Sequence, residues 1–229
     1  MGLRVVVMLA ITINCGHAWG QLVISTKSGL INYIEGMVLL SGEPIVRNLG
    51  VRVEMKEGSD LRTEDGRAEV LLNPGVFLRI GKKSTVRMIS NNLADTRIEF
   101  VSGSAIIGPG RRLNAKENWA ASVSIAYQET IVHLRKNGTY RFDAEPAQLR
   151  VYEGEASVSS GELTEIAGAG EMIALAKAGS AEKFDVTAID ALGLWSKRRA
   201  AYISMPHESA GKRHSMGVWP RAQIPAISH

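Results

Sequence analysis

Thr63-Glu64-Asp65-Gly66-Arg67-Ala68-Glu69-Val70-Leu71-Leu72-Asn73-Pro74-Gly75-Val76-Phe77-Leu78-Arg79-Ile80 is the stretch whose reading decides the fold. Val76, Leu78 and Ile80 alternate with Phe77 and Arg79, and Ala68 and Val70 flank Glu69. Successive side chains of a strand point to opposite faces, so each run can bury one side and wet the other. On that reading Glu69 faces water. Asn73-Pro74-Gly75 reads as a turn, with proline setting φ and glycine taking the left-handed position. Asp65-Gly66 reads as a hairpin-turn pair.

The same grammar extends in both directions. Ile98 and Phe100 alternate with Arg97 and Glu99, and Val123, Ile125 and Tyr127 alternate with Ser122, Ser124 and Ala126. Asn137-Gly138 is a second hairpin-turn pair. Period two persists from about Ile31 to Leu175 without a helical block between the strands. The expectation is an all-β, antiparallel sandwich or barrel rather than parallel βαβ units. Tyr33-Ile34-Glu35-Gly36 and Val151-Tyr152-Glu153-Gly154 are weakly alike, and Val101-Ser102-Gly103-Ser104-Ala105 matches more loosely. A glycine ahead of a strand-forming stretch suits a tight corner.

The ends read differently. Met1 to Gly20 carries Arg4, an apolar run from Val5 to Ile13, and Ala18-Trp19-Gly20, which suits signal-peptide cleavage between Gly20 and Gln21. The run is too short to span a bilayer, which takes about 20 apolar residues. Cys15 is the single cysteine and lies in this peptide; lipid attachment there is disfavoured by Asn14. The mature chain then has no disulfide, thiolate metal site or cysteine nucleophile. Loss of Arg4 lowers the formal charge from +4 to +3, too mild an excess to suggest nucleic acid. No later apolar stretch is long enough for a transmembrane anchor.

Near Asp185 the pattern becomes helical. Thr187 and Asp190 have capping-box spacing, and Leu192, Trp195 and Tyr202 can share one face ahead of Pro206. Trp195 and Tyr202 are expected to pin the helix to the β domain. The stretch after Pro206 is glycine- and proline-bearing with little periodic apolar content, and is expected to be disordered.

The search for chemistry is mostly negative. The histidines His133, His207, His214 and His229 match no metal-ligand spacing, and His133 is expected at the surface. No G-x-S-x-G elbow occurs. The acids Asp60, Glu64, Asp65 and Glu69 read as turn and solvated face, not a carboxylate pair for glycoside hydrolysis. No catalytic, cofactor-binding or metal-binding residue is assigned. Arg111 and Arg112, in Gly108-Pro109-Gly110-Arg111-Arg112, and Lys197, Arg198 and Arg199 form the candidate interaction surface for an acidic partner.

Three pieces taken in order resemble the FecR-type domain: Asn32 to Val38, Thr63 to Leu72, and Gly75 to Ile80. Ile98 to Ala105, Asn137 to Phe142 and Leu149 to Ala156 continue the resemblance, which covers about Ile31 to Leu175. The resemblance implies a periplasmic β domain of sandwich or jelly-roll type. Well-known members relay a signal from an outer-membrane transporter to a membrane-bound sigma regulator. They carry a cytoplasmic segment and a transmembrane helix ahead of the domain, where this chain has a cleavable signal peptide. What the resemblance implies here is a non-catalytic interaction domain, without direct sigma regulation and without catalytic residues to transfer.

The resulting expectation divides the chain into a signal peptide (1–20), a FecR-like β domain (21–184), a C-terminal helix (185–205) and a disordered tail (206–229). It is exported to the periplasm or beyond, and binds an envelope protein. The alternative is a module for cell-wall or other polysaccharide, drawn by fold analogy and by Arg111, Arg112 and Lys197.

Overall fold

The computed structural model describes residues 27–46, 52–110, 118–176 and 179–204. The expected signal peptide, with its expected cleavage site at Gly20 and Gln21, and the expected disordered tail lie outside the described residues, as do Arg111 and Arg112. The first strands are β1 (Leu30–Glu35), β2 (Val38–Leu40), β3 (Glu43–Pro44), β4 (Asp60–Thr63) and β5 (Arg67–Asn73). Next come β6 (Val76–Ile80), β7 (Ser84–Asn92), β8 (Asp95–Ser102), β9 (Ser104–Pro109) and β10 (Val123–Tyr127). They are followed by β11 (Thr130–Ala144), β12 (Ala147–Ser160), β13 (Leu163–Gly168), β14 (Glu171–Ala174), β15 (Glu182–Lys183) and the helix α1 (Ala191–Ser204).

The strands form one sheet folded into two layers. One layer runs β1-β5-β6-β9 into the C-terminal half of β11 and the N-terminal half of β12, then β14 and β15. The other runs β3-β2-β4-β7-β8-β10 into the N-terminal half of β11 and the C-terminal half of β12, then β13. Every strand pairing among the described residues is antiparallel except β8 with β10. The sandwich expectation is met, with that one parallel pair added.

The core lies between the layers. Ala68, Val70 and Leu72 of β5, Val86 and Met88 of β7, and Val123, Ile125 and Tyr127 of β10 all point inward. Phe100 of β8 meets Phe142 of β11 across the layers, ring centroids 6.1 Å apart. On the second layer the alternation holds as expected: His133 is exposed between buried Val132 and Leu134.

Gly138 and Gly154 let the chain bend between the layers. β11 loses regular register with β12 from Leu134 to Tyr140, and that stretch is the fold line. Strands that switch sheets through bulges make such corners. A Cβ on Gly138 would sit 1.9 Å from the carbonyl oxygen of Glu153, so only glycine permits the crossing. Tyr140 closes the corner: its hydroxyl donates to the Lys136 carbonyl and accepts from the Glu155 amide at 3.1 Å. Burial raises the Tyr140 pKa, so the phenol stays a neutral donor. Asn137-Gly138 is therefore not a hairpin turn; the β11–β12 hairpin closes at Glu145 and Pro146, joined by a cis peptide.

A second corner uses Gly36 and Gly66. The β1–β2 and β4–β5 connections both cross between layers there, and a Cβ on Gly66 would meet the Met37 carbonyl at 2.4 Å. Asp65-Gly66 thus turns the chain, but β4 and β5 pair with different neighbours and form no hairpin. Asn73-Pro74-Gly75 does join a hairpin, β5 with β6.

α1 begins at Ala191, later than the expected 185. Asp190 is its N-cap, its Oδ1 accepting from the Gly193 amide at 2.9 Å. The Thr187–Asp190 capping box does not form; Thr187 instead donates from its amide and hydroxyl to Asp185, making a local turn. Leu192 and Trp195 are buried against the first layer, with Ile106 and Tyr33 in the same cluster. Burying side chains of this size contributes about 1.5–3 kcal/mol each. Tyr202 is 60% exposed and does not pin the helix. No helix of the described residues is long and apolar enough to cross a membrane.

Candidate functional site

Docking of α1 changes what the outer face of the first layer must be. β6 is buried at every position, Phe77 and Arg79 included, because one face meets the core and the other meets the helix. Glu69 and Arg79 stand opposite each other on β5 and β6, on the helix side. Glu69 is 0% exposed, contrary to the expectation that it faces water. A charge that deep must be partnered.

Three donors satisfy it. Arg79 Nε donates to Glu69 Oε2 at 2.9 Å. Arg199 Nη2, from α1, and Asn32 Nδ2, from β1, donate to Oε1 at 2.8 and 2.7 Å. The Arg199 guanidinium also lies 4.0 Å from the Tyr33 ring centroid. Burial lowers the Arg79 pKa, opposed by the charge of Glu69.

Two further polar ties hold the helix. Trp195 Nε1 donates to Glu35 Oε2 at 2.9 Å. Arg141 of β11 pairs with Asp143 beside it, 2.9 Å, and with Asp190 at the helix start, 2.7 Å. Burial pulls the Arg141 pKa down, but the two carboxylates outweigh it and raise it. The bond from Arg141 holds the Asp190 carboxyl down at about 2.

Beside this cluster lies a groove of about 340 Å³ between α1 and the strands β6, β9, β11 and β12. Arg79 and Ser196 line it, Ile106, Val186 and Ile189 supply apolar wall, and Lys197 and Glu153 stand exposed around it. Its volume is in the range of ligand pockets, and its lining mixes this apolar wall with the polar side chains of Arg79, Thr139, Tyr152, Glu153, Asp190, Ser196 and Lys197.

The candidate interaction residues separate. Lys197 borders the groove, Arg198 is exposed, and Arg199 turns inward to Glu69. The acids considered as a catalytic pair also separate: Asp60 pairs with Arg87 and Glu64 with Arg62, while Glu69 lies under α1 in the other layer. His133 is flanked in register by Ser124 and Ser157. Among the described residues no three His, Cys, Asp or Glu side chains converge as a metal site would require. The Glu69–Arg79 pair went unread in the sequence. Its signal was symmetry: the two residues sit equally far on either side of Pro74, so a hairpin there sets them face to face.

No protein-family model matches the chain, and no curated protein sequence does. Among solved structures it is similar to two crystal structures of a "putative anti-sigma factor" from Parabacteroides distasonis ATCC 8503. The TM-scores are 0.42 and 0.43 at 11% and 10% identity, over 55% and 56% of this chain. The chain spans 59% and 61% of the length of those proteins.

Proposed function

We propose that this chain is a non-catalytic, exported interaction module of the bacterial cell envelope, which engages a protein partner by strand addition at β13. The observation that supports the reading is the open edge. Among the described residues β13 pairs with β12 alone, and its sequence Leu-Thr-Glu-Ile-Ala-Gly has neither the lysine nor the proline that blunts a free edge. Leu163 is 62% exposed and Ile166 47%, so apolar side chains accompany the unpaired backbone groups. An extended segment of a partner would complete the ladder and cover them. The FecR resemblance implies such an interaction role, and the pieces that carry it contain the corner glycines Gly36, Gly66, Gly138 and Gly154.

A photo-crosslinking amino acid at position 163 or 166, used in intact cells, tests this. A reproducible envelope protein, lost when proline is placed in β13, supports the reading. Retention on cell-wall polymer without any protein crosslink overturns it in favour of a polysaccharide-binding module.

A further inference from the structure

Arg79, which lines the groove under α1, carries an unspent donor. Arg79 uses Nε on Glu69, and its Nη1 lies 3.5 Å from Ser196 Oγ. Its Nη2 is buried and has no hydrogen-bond partner among the described residues. Leaving a buried charged donor unsatisfied costs more than leaving a neutral one so. The charge around it is also unbalanced. Two guanidiniums, Arg79 and Arg199, share the single carboxylate of Glu69. Asp190, at the N-cap of α1, is engaged by Arg141. Lys197 adds a further cation beside the groove.

These features specify an anion of limited charge. The two unpartnered N–H groups on Arg79 Nη2 and the point charge of Lys197 suit a carboxylate bridging the two cations. Glu153 and Asp190 around the groove disfavour a dianion such as phosphate. Ile106, Val186 and Ile189 give the group bearing the carboxylate an apolar wall, and Val186 and Ile189 are partly exposed until something covers them.

We infer that the groove between α1 and the first layer binds a carboxylate carried on an aliphatic group, as at the C-terminus of a peptide ending in valine or isoleucine, with Arg79 and Lys197 as its donors. This site is separate from the β13 edge, so either can fail alone.

Titration of the full chain with N-acetyl-Ala-Val as the free acid and as the C-terminal amide, followed by NMR or calorimetry, reads the inference directly. The free acid should bind at least about tenfold more tightly than the amide, the scale of one charge-assisted contact. Arg79 is tied into a buried cluster and its variants risk misfolding, so two surface changes serve instead. Lys197→Glu should weaken the free acid several-fold and leave the amide unchanged. Ala200→Phe, at a position lining the groove, should abolish binding of both. Equal affinity for acid and amide, no binding of either to the folded chain, or tighter binding of inorganic phosphate than of the free acid would each overturn it.

Discussion

Glu69 and Arg79 are cross-strand neighbours on β5 and β6, joined at 2.9 Å, and both are buried on what would otherwise be the outer face of the sandwich. The helix covers them, and through Arg199 it supplies a second cation to the same carboxylate. The pair thus records the docking of α1.

Removing the carboxylate should be costly. Glu69→Gln leaves Arg79 and Arg199 buried without a counter-charge, and is expected to destabilise by about 3–5 kcal/mol in urea unfolding. Replacing Glu69, Arg79 and Arg199 together by methionine should cost far less, since the desolvation of all three charges is relieved. A triple variant as unstable as the single one would show that the cluster is needed as a whole.

The corner glycine at 138 should tolerate no side chain. Gly138→Ala drives a Cβ into the Glu153 backbone carbonyl and is expected to cost about 3 kcal/mol or more, or to prevent folding. Gly42 is the control: its φ is +88°, but nothing lies within 4 Å of an added Cβ. Gly42→Ala should lose only the backbone term, about 1–2 kcal/mol.

Tyr140→Phe tests the same corner from its hydrogen bonds. The Lys136 carbonyl and the Glu155 amide each lose a partner that the phenol supplies. A loss of about 1–3 kcal/mol is expected by thermal or chemical unfolding, with the strand content of the circular dichroism spectrum unchanged.

Acid should loosen the helix through Asp190. Its carboxyl falls from an ordinary 3.8 to about 2 on folding, chiefly through the bond from Arg141. The unfolded chain therefore takes up the proton first as pH falls. The stabilisation is fully present above about pH 4, shrinks as pH drops, and is gone below about pH 2. The stability difference between the parent chain and Asp190→Asn should narrow across that window, with protease sensitivity of 191–204 as the local readout. A difference that stays constant from pH 5 to 2 would show that Asp190 holds nothing through its charge.

How much of this was legible depends on how local each signal is. Alternation in Ile98–Phe100 and Val123–Tyr127 directly reports which face of a strand meets a core. The Asn73-Pro74-Gly75 turn is a matter of three residues' φ and ψ. Asn137-Gly138 misled for an instructive reason: the same permissive backbone that suits a hairpin also suits a strand crossing 1.9 Å from where a Cβ would clash, and only the position of Glu153 distinguishes them. Capping by Asp190 alone, with Thr187 turned to Asp185, was likewise a choice between two nearby carboxylates.

By itself, the sequence determined a disulfide-free, mainly antiparallel β domain followed by one helix, because periodicity and turn chemistry act over a few residues. Only the tertiary structure decided which charges are buried. Glu69, Arg79 and Arg199 read as wet-face residues within their own elements; the docked helix removes water from that face, and burial is set by what packs against a residue rather than by its neighbours along the chain.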